Sequence, residues 1–386
     1  MRRETPLQNF AKRLVSGTVL AVGVLFLFYS SPSIATISIS SLLVAACLYE
    51  YAWLSFSIKD SIAKGSMITR DAIDRDSCAI SGLHGRWCSS QRLTTALLVT
   101  TTTVVAVVAA IAGYHFVDLG IKSCQFYKRL LPFIAVTTGG STLAAAYTPT
   151  RISAMVLVLS QLSFALIVCN SILCPVDESR CVFIIDSSFM LLSCSCAIYI
   201  LHLCTAATVQ TAVIAIVLDQ LAIVYIVGMV QIIVNFVVFS VFSDSRKLIV
   251  VLLLSVWAAD SGSYFCGHAM RLAKYTRGWR LAPRLSPNKD VEGTAAGVIV
   301  ALGTMFAAVK WTGLERSLYE KLLMTVLGIV FGRLGDLFES MIKRAAGVKD
   351  SSAMIPGHGG VMDRVDALLF ASVVFCVFNL DNRLLH

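Results

Sequence analysis

The chain has 386 residues, of which 57% are hydrophobic and only 14% are charged. Soluble domains carry about 25% charged residues, so this composition excludes an ordinary soluble globular protein. The formal net charge is +9 and the mean hydropathy is +0.78. We therefore predict a basic integral membrane protein without a large soluble domain.

Apolar stretches long enough to cross a bilayer recur along the whole chain. Because a spanning helix needs roughly 20 apolar residues, we expect an all-α, polytopic fold with about ten transmembrane helices. The candidate spans begin near Leu14, Ile34, Thr94, Ile152, Val182, Ala207, Leu248, Thr294, Leu318 and Val365, with a weaker one near Leu131. The apolar run over residues 207–242 is long for one span and short for two, which leaves the later topology open.

The first apolar stretch has two interpretations. It follows a basic start, and "YSSPSIA" imitates the small-residue cleavage site of a signal peptide. A second long apolar run follows at once, which favours a retained helical hairpin. We expect the retained helix.

Lysine and arginine gather in four segments: the N-terminus and residues 58–92, 268–290 and 343–364. The positive-inside rule places all four in the cytoplasm. We predict two regions. The first is an N-terminal transmembrane region, 1–247, with a polar insert at 58–93, and the second is a C-terminal catalytic transmembrane region, 248–386.

Charged residues within spans are functional candidates because the bilayer disfavours them. In the first two thirds of the chain they stand alone, as Glu50, Asp186 and Asp219 do. We interpret Asp186 and Asp219 as buried residues at helix contacts or cavities.

In the last third, acidic residues are accompanied by hydroxyls and cations. In "VWAADSGSYFCG", Asp260 stands beside Ser261 and small residues, where we expect the helix to break. The loop "LAPRLSPNKDVEG" then brings Arg284, Ser286 and Lys289 to the membrane surface, where cations suit phosphate.

Two further segments complete this set. In "GRLGDLFESMIKR", Asp336, Ser340 and Lys343 share one helical face. In "IPGHGGVMDRVD", glycines at 357, 359 and 360 permit positive φ and could turn backbone N–H groups towards an anion. Asp363 and Asp366 then share a face of the last helix.

Each feature taken singly also has a structural explanation, since juxtamembrane cations anchor helices and Gly-Gly makes turns. Together, carboxylates without clustered cysteine or histidine indicate Mg²⁺, which is usually shared with phosphates. Cations and a glycine loop beside them favour phosphoryl or nucleotidyl transfer. A site embedded in a membrane favours a lipid as one substrate.

These residues resemble the signature of the phosphatidate cytidylyltransferases, also called CDP-diacylglycerol synthases. Its pattern is matched in full by Ser340, Lys343, Arg344, Lys349, Asp350, Pro356, His358, Gly359, Gly360, Asp363, Arg364 and Asp366. "WAADSGSY" and "GDLFES" are similar to neighbouring family segments, and "CLYEYAWLS" around Glu50 looks like an early family helix. The family usually has Lys-Thr where this chain has Lys289 and Asp290.

The resemblance implies transfer of CMP from CTP to phosphatidic acid, giving CDP-diacylglycerol and pyrophosphate. It implies a metal site with Mg²⁺, alone or with a second cation, held by Asp336, Ser340 and Asp363. Catalytic roles fall to Asp260, Lys289, Lys343, Arg344, His358 and Asp366. Substrate binding falls to Ser261, Arg284, Ser286, Lys349, Gly359, Gly360 and Arg364.

Two alternatives stay open: a nucleotidyltransferase for another lipid phosphate, and an anion transporter with broken helices. Inverted repeats would favour the transporter, and the sequence has none that we recognise. The expected partners are CTP, phosphatidic acid and the bilayer, with a homodimer open and no nucleic acid. We expect a multi-pass protein of the cell (inner) membrane with its active site facing the cytoplasm.

Overall fold

The computed structural model describes residues 32–63, 96–105, 124–173, 186–206, 208–238, 244–275, 279–355 and 359–384, with Gly23 and Val107. This part of the chain is almost entirely helical, which confirms the all-α prediction. Its helices are α1 (Pro32–Ala63), α2 (Ala96–Val105), α3 (Cys124–Ala146), α4 (Arg151–Leu173), α5 (Ser187–Thr205), α6 (Val209–Ala222), α7 (Met229–Val238), α8 (Asp244–Leu272), α9 (Val291–Thr312), α10 (Leu318–Ala345) and α11 (Met362–Leu384).

Within these described ranges, six helical stretches are long and apolar enough to cross a membrane. They are Ile37–Ile62, Arg151–Cys169, Ser187–Thr205, Val209–Val234, Lys247–Leu272 and Val291–Thr312. The polytopic membrane fold is thereby confirmed. The number of ten spans stays a prediction. The helices found where spans were expected near Thr94, Leu318 and Val365 are not among these six. The span expected near Leu14 lies outside the described residues, as does most of the polar insert at 58–93.

The ambiguous run after residue 207 forms one spanning length, Val209–Val234. Helix α6 opens with a capping box between Thr208 and Thr211. A single π-helical segment, Ile223–Gly228, then joins α6 to α7 without a turn. One span rather than two therefore follows from continuous helical hydrogen bonding through the π segment.

The described residues divide into two compact units. The first lies within Met1–Val234 and includes Ala346–Met362, and the second lies within Asn235–Ala345 and Asp363–His386. The region boundary that the sequence suggests after residue 247 stays a prediction.

In the first unit, α1 packs against α3, α4 and α6. Polar side chains form hydrogen bonds between these helices, because the hydrocarbon of a membrane offers no hydrogen-bond partners. The Ser41 and Thr137 hydroxyls lie 2.6 Å apart, and Gln161 Nε2 donates to Ser41 Oγ at 3.0 Å. The helices of this unit are thus joined by buried hydrogen bonds as well as by apolar packing.

Two of the three isolated acids of this unit, Asp186 and Asp219, have different environments. Asp219 is buried, and its carboxylate lies 2.6 Å from His202 Nε2, so the prediction of a buried helix contact is confirmed. Asp186 is exposed and caps α5, so the prediction that it is buried is wrong. The Ser188 backbone N–H donates to its carboxylate, which lowers the pKa of Asp186.

In the second unit, α8 packs along α9, and α10 packs against both. The approach of α8 to α9 is close because glycines face the contact. A β-carbon on Gly262 would lie 2.9 Å from Val300, and one on Gly297 would lie 2.7 Å from the Ala259 carbonyl. The small residues around Asp260 therefore permit close helix packing, as expected.

Helix α8 does not break at Asp260, and the prediction of a break there is wrong. It continues to Leu272. The Ser261 hydroxyl donates to the Trp257 carbonyl and the Ser263 hydroxyl to the Ala259 carbonyl. Because these hydroxyls bond to carbonyls of their own helix, the polar residues are accommodated without unwinding.

A short antiparallel hairpin connects α8 to α9. Its strands are β1 (Arg280–Ala282) and β2 (Ser286–Asp290), joined by a turn in which the Leu285 N–H donates to the Ala282 carbonyl at 3.2 Å. Strand β2 runs directly into α9, whose last turn ends at Gly313 with a left-handed φ of 64°. The hairpin thus delivers the residues of β2 to the start of a helix.

Candidate active site

A cluster of ion pairs lies around α10 in the second unit. Arg333 Nη1 donates to Asp336 Oδ2 at 2.9 Å, one turn along the same helix, and lies 3.3 Å from Asp260 Oδ1 on α8. Its Nη2 donates to the Ser263 hydroxyl. One guanidinium therefore joins carboxylates from two helices, which its planar array of donors allows.

Lys289 reaches the same cluster from β2. Its ammonium lies 3.0 Å from Asp336 Oδ2, the oxygen that also accepts from Arg333. The next residue, Asp290, caps α9 by accepting from the Gly293 N–H at 2.7 Å. Lys289 is therefore held where a strand ends and a capped helix begins.

The family that the sequence resembles usually has threonine at the position of Asp290. The role of this residue as the N-cap of α9 explains why both residues suit the position. Aspartate and threonine are both good N-caps, because each offers a side-chain oxygen to the free N–H groups of the first turn. The Asp290 carboxylate is directed to Gly293 in its own helix. The substitution therefore preserves the local structure that presents Lys289.

A second set of ion pairs lies further along α10. Lys343 Nζ lies 2.9 Å from Glu339 Oε2 and 2.5 Å from Asp363 Oδ1 at the start of α11. Asp366, one turn after Asp363, lies close enough to Glu339 and Asp336 to interact with both electrostatically. Lys343 therefore holds acids from two helices together, as Arg333 does.

Most of these charged groups are buried. Four residues are at most 8% exposed: Asp336, Glu339, Lys343 and Asp366. The Asp260 side chain, in contrast, is 51% exposed. Buried charges must be paired because their desolvation is costly, so the cluster is an ordered network that reaches the surface at Asp260.

Glycines on α10 bring α11 close enough for these contacts. A β-carbon on Gly335 would collide with the Asp366 carbonyl and lie 2.9 Å from the Phe370 ring. One on Gly332 would lie 3.2 Å from the Ala367 carbonyl. The two helices therefore touch along a glycine face, next to the face that carries the acids.

Several predictions of local structure are confirmed here. Asp336, Ser340 and Lys343 lie on one buried face of α10. Asp363 and Asp366 lie in the first turns of α11, which begins at Met362. Asp260, Lys289, Asp336, Lys343 and Asp363 join the two sets of ion pairs, and Asp366 interacts with them electrostatically.

The remaining predicted site residues lie outside these ion pairs. Arg344 Nε donates to the Leu285 carbonyl at 3.3 Å. Arg364 is exposed and interacts electrostatically with Asp260. Others are exposed or partly exposed, namely Ser261, Arg284 and Ser286 in the second unit and Lys349 in the first. His358 lies outside the described residues.

The glycine loop, residues 351–362, is described over 351–355 and 359–362, and these residues belong to the first unit. Gly359 has a φ of 81°, and its carbonyl accepts from the Ile355 N–H at 2.9 Å. The N–H groups of Val361 and Met362 each lie 2.8 Å from the carboxylate of Glu50. The anion that these two N–H groups bind is therefore a side chain of the protein itself.

Arg333, Glu339 and the link from Glu50 to the glycine loop are absent from the sequence prediction. The signal for the first two was available, because both are charged residues in an apolar helix and stand three and four positions from Asp336 and Lys343. The partner of Glu50 is about 300 residues away along the chain, as the Ser351 contact spans 301 positions. No pattern within one sequence connects them.

The donor set of the cluster fits a hard divalent cation. Its acidic side chains are carboxylates, which are hard oxygen donors, and Glu339 and Asp366 share a side-chain hydrogen bond. In the described ranges, no three His, Cys, Asp or Glu side chains form a group that could hold a metal ion.

Acidic groups outnumber cations in the cluster. Five carboxylates take part: Asp260, Asp336, Glu339, Asp363 and Asp366. The cations that face them are Lys289, Arg333, Lys343 and Arg364. Glu339 and Asp366 also share a hydrogen bond, which requires a proton between them, so charges of the two signs occur in nearly equal numbers.

Comparison with known proteins identifies close relatives of this site region. The chain is 42% identical to a phosphatidate cytidylyltransferase of Haemophilus influenzae over 135 residues, 34% of this chain and 45% of that protein. It is 45% identical to the phosphatidate cytidylyltransferase of Bacillus subtilis over 117 residues, 30% of this chain and 40% of that protein. A Staphylococcus haemolyticus phosphatidate cytidylyltransferase is 39% identical over 128 residues, 33% of this chain and 47% of its own length.

These alignments span less than half of each curated relative. The model of the cytidylyltransferase family, in contrast, matches residues 90–380. That range contains every charged residue of the cluster and most of the membrane helices. Because the match extends over most of the chain, this protein belongs to the cytidylyltransferase family.

Proposed function

We propose that the protein transfers CMP from CTP to phosphatidic acid, giving CDP-diacylglycerol and pyrophosphate. The observation that carries this proposal is the buried network of carboxylates and cations at the family's signature residues, in a chain with spanning helices. The names of the relatives support the same reaction. Membrane embedding supports a lipid substrate.

In this reaction an oxygen of the lipid phosphate attacks the α-phosphorus of CTP. The bond from the α-phosphorus to the bridging oxygen breaks, and pyrophosphate leaves with that oxygen. The lipid phosphate is already ionised near neutral pH, so no strong general base is required. The protein therefore contributes mainly by holding two anionic substrates in line.

The cations suit that role. Lys289, Arg333 and Lys343 lie within one network in the second unit, where each now neutralises a carboxylate. We assign them to the phosphates of CTP and of the lipid. Charge stabilisation in a site with little water is worth more than at the surface, which favours buried cations for this purpose.

We assign Asp336 and Asp363 to Mg²⁺, with Ser340 and Asp366 near it. When bound, the metal would neutralise charge on the phosphates and on the leaving pyrophosphate. The carboxylate oxygens of the cluster are hard donors of the kind that Mg²⁺ binds, which supports a cation here. We further propose that the site faces the cytoplasm at the inner membrane, as the basic residues of the hairpin and of residues 343–364 suggest.

The first test is CTP-dependent release of pyrophosphate by the purified protein in detergent with Mg²⁺. We expect turnover that requires phosphatidic acid and falls about a hundredfold or more in Asp363→Asn, since a metal ligand and the partner of Lys343 are lost together. The matched control is Asp186→Asn, because Asn also caps helices and Asp186 lies in the first unit.

Other outcomes would change the proposal. Turnover with a polyprenyl phosphate but not with phosphatidic acid would assign the same chemistry to another lipid. Turnover that Asp363→Asn leaves unaltered would overturn the metal role. A folded protein without turnover on either lipid would overturn the proposal that this protein is a lipid-phosphate nucleotidyltransferase.

A further inference from the structure

Among the described residues of the first unit, Glu50 is the most completely buried acid. Glu50 is 0% exposed in α1, within a spanning stretch. It accepts four hydrogen bonds: from Ser351 Oγ at 2.9 Å, Ser352 Oγ at 2.5 Å, and the Val361 and Met362 N–H groups at 2.8 Å each. Four donors offset the cost of burying an acid in the membrane.

These four donors come from the two ends of the glycine loop. Ser351 and Ser352 open the loop, and Val361 and Met362 close it. One carboxylate thus ties both ends together. Gly360 packs against this contact, since a β-carbon there would collide with Ser351 and lie 2.6 Å from a Glu50 oxygen.

The bonds are arranged in a way that a carboxyl group satisfies and an amide does not. Oε1 accepts from the Ser352 hydroxyl and the Val361 N–H, and Oε2 accepts from the Ser351 hydroxyl and the Met362 N–H. Each oxygen therefore faces one backbone N–H, which cannot rotate away. The N–H groups belong to the entry of α11, where backbone donors lack helical partners and favour an anion.

We propose that Glu50 is a positioning residue for the transfer reaction, tying residues 351–352 to residues 361–362 and fixing the backbone that leads into Asp363. This inference rests on the proposed function, because it gives the loop a role in that reaction. Met362, which Glu50 binds, directly precedes Asp363 in the chain. Glu50 acts through the loop, so its loss alters the placement of Asp363 rather than removing a group that touches substrate.

Glu50→Gln separates this role from simple packing. The substitution keeps the size of the side chain, but whichever way the amide is oriented, its NH₂ group faces the N–H of Val361 or Met362. We expect kcat per folded molecule to fall about tenfold or more, as loss of a hydrogen bond to a charged group predicts. We also expect half-saturation with Mg²⁺ to require a higher concentration, because Asp363 is displaced.

The matched control is Ser55→Ala, in the same helix. The Ser55 hydroxyl is buried without a hydrogen-bond partner among the described residues, so its removal should change neither kcat nor the Mg²⁺ requirement. If Glu50→Gln fails to fold, Ser352→Ala serves instead, since it removes one of the four donors and should give a smaller shift in the same direction.

Hydrogen–deuterium exchange of residues 351–362 gives a readout that does not depend on turnover. We expect these amides to exchange faster in Glu50→Gln than in the wild type or in Ser55→Ala. If the wild type is active and Glu50→Gln has the same kcat, the same Mg²⁺ requirement and the same exchange rates, the inference is overturned. Absence of turnover in the wild type would overturn the proposed function, and exchange alone would then decide whether Glu50 restrains the loop.

Discussion

Arg333 is the side chain that best shows how the site depends on shape as well as charge. Its guanidinium contacts Asp336, Asp260 and the Ser263 hydroxyl at the same time. A lysine there would keep the charge, but its ammonium would replace the planar fork with a single point of contact. The bridge between α8 and α10 therefore requires arginine.

We predict that Arg333→Lys lowers kcat/KM for CTP about tenfold to a hundredfold, because one charged hydrogen bond in the network is lost. The measurement is pyrophosphate release at varied CTP, together with the midpoint of thermal unfolding. Arg271→Lys is the control, since Arg271 is exposed and its Nε bonds only to the Gly267 carbonyl in the same helix. Equal kcat/KM in both variants would contradict the bridging role.

Sequence reasoning succeeds at residues whose neighbours are close in the chain. The shared face of Asp336, Ser340 and Lys343 follows from helical spacing, and the structure confirms it. It fails at Asp186, because an acid before an apolar run is compatible with burial and with a cap, and only the position of the helix start decides. Which acid pairs with which cation depends on contacts between helices, and spacing does not encode these.

At the scale of elements, the contact between α10 and α11 depends on glycines. Gly328, Gly332 and Gly335 recur on one face of α10 and meet Phe375, Ala367 and the Asp366 backbone. Without β-carbons the two backbones approach closely, as small residues at a helix contact permit. The acids of both helices are brought together by this approach.

We predict that Gly335→Ala destabilises the protein by about 1–3 kcal/mol, because its methyl group would overlap Asp366 and Phe370 and force α11 to shift. Turnover should fall as well, since Asp363 and Asp366 move with α11. The measurement is thermal unfolding in detergent, with pyrophosphate release alongside.

Gly303→Ala is the matched control for that substitution. Gly303 lies in α9, and a β-carbon there would meet nothing within 4 Å. Alanine is the better helix former by about 0.5–1 kcal/mol, so this variant should be as stable as the wild type or more so. If both variants behave alike, close packing at Gly335 is not what holds α11.

At the scale of the whole molecule, composition and apolar run length predicted the all-α membrane fold, and the described residues confirm it. The run after residue 207 could not be resolved from length alone, because a π-helical segment has no distinctive composition. The placement of residues 346–362 in the first unit was also beyond the sequence, since it depends on bonds to Glu50. Long-range partners, rather than local propensity, account for what was missed.

Membrane orientation gives a prediction that involves the full chain. Helix α9 is long and apolar enough to span, so its two ends should be reached from opposite sides. We expect Lys274→Cys to react with a membrane-impermeant maleimide from the cytoplasmic side and Glu315→Cys only from the other side, since both residues are exposed. The wild-type chain, which has cysteines of its own, gives the background level of maleimide labelling. Labelling of both positions from one side would contradict a spanning α9.

The contact between Glu50 and the glycine loop has a consequence for biosynthesis. Glu50 enters the membrane early, but its Ser351 partner lies 301 positions later in the chain. During translation the Glu50 carboxyl group therefore lacks its hydrogen-bond donors from the loop until nearly the whole polypeptide has been made. A nascent or truncated chain that ends before the loop exposes an unsatisfied carboxyl group within the bilayer, a feature by which membrane quality control could distinguish unfinished molecules from mature ones.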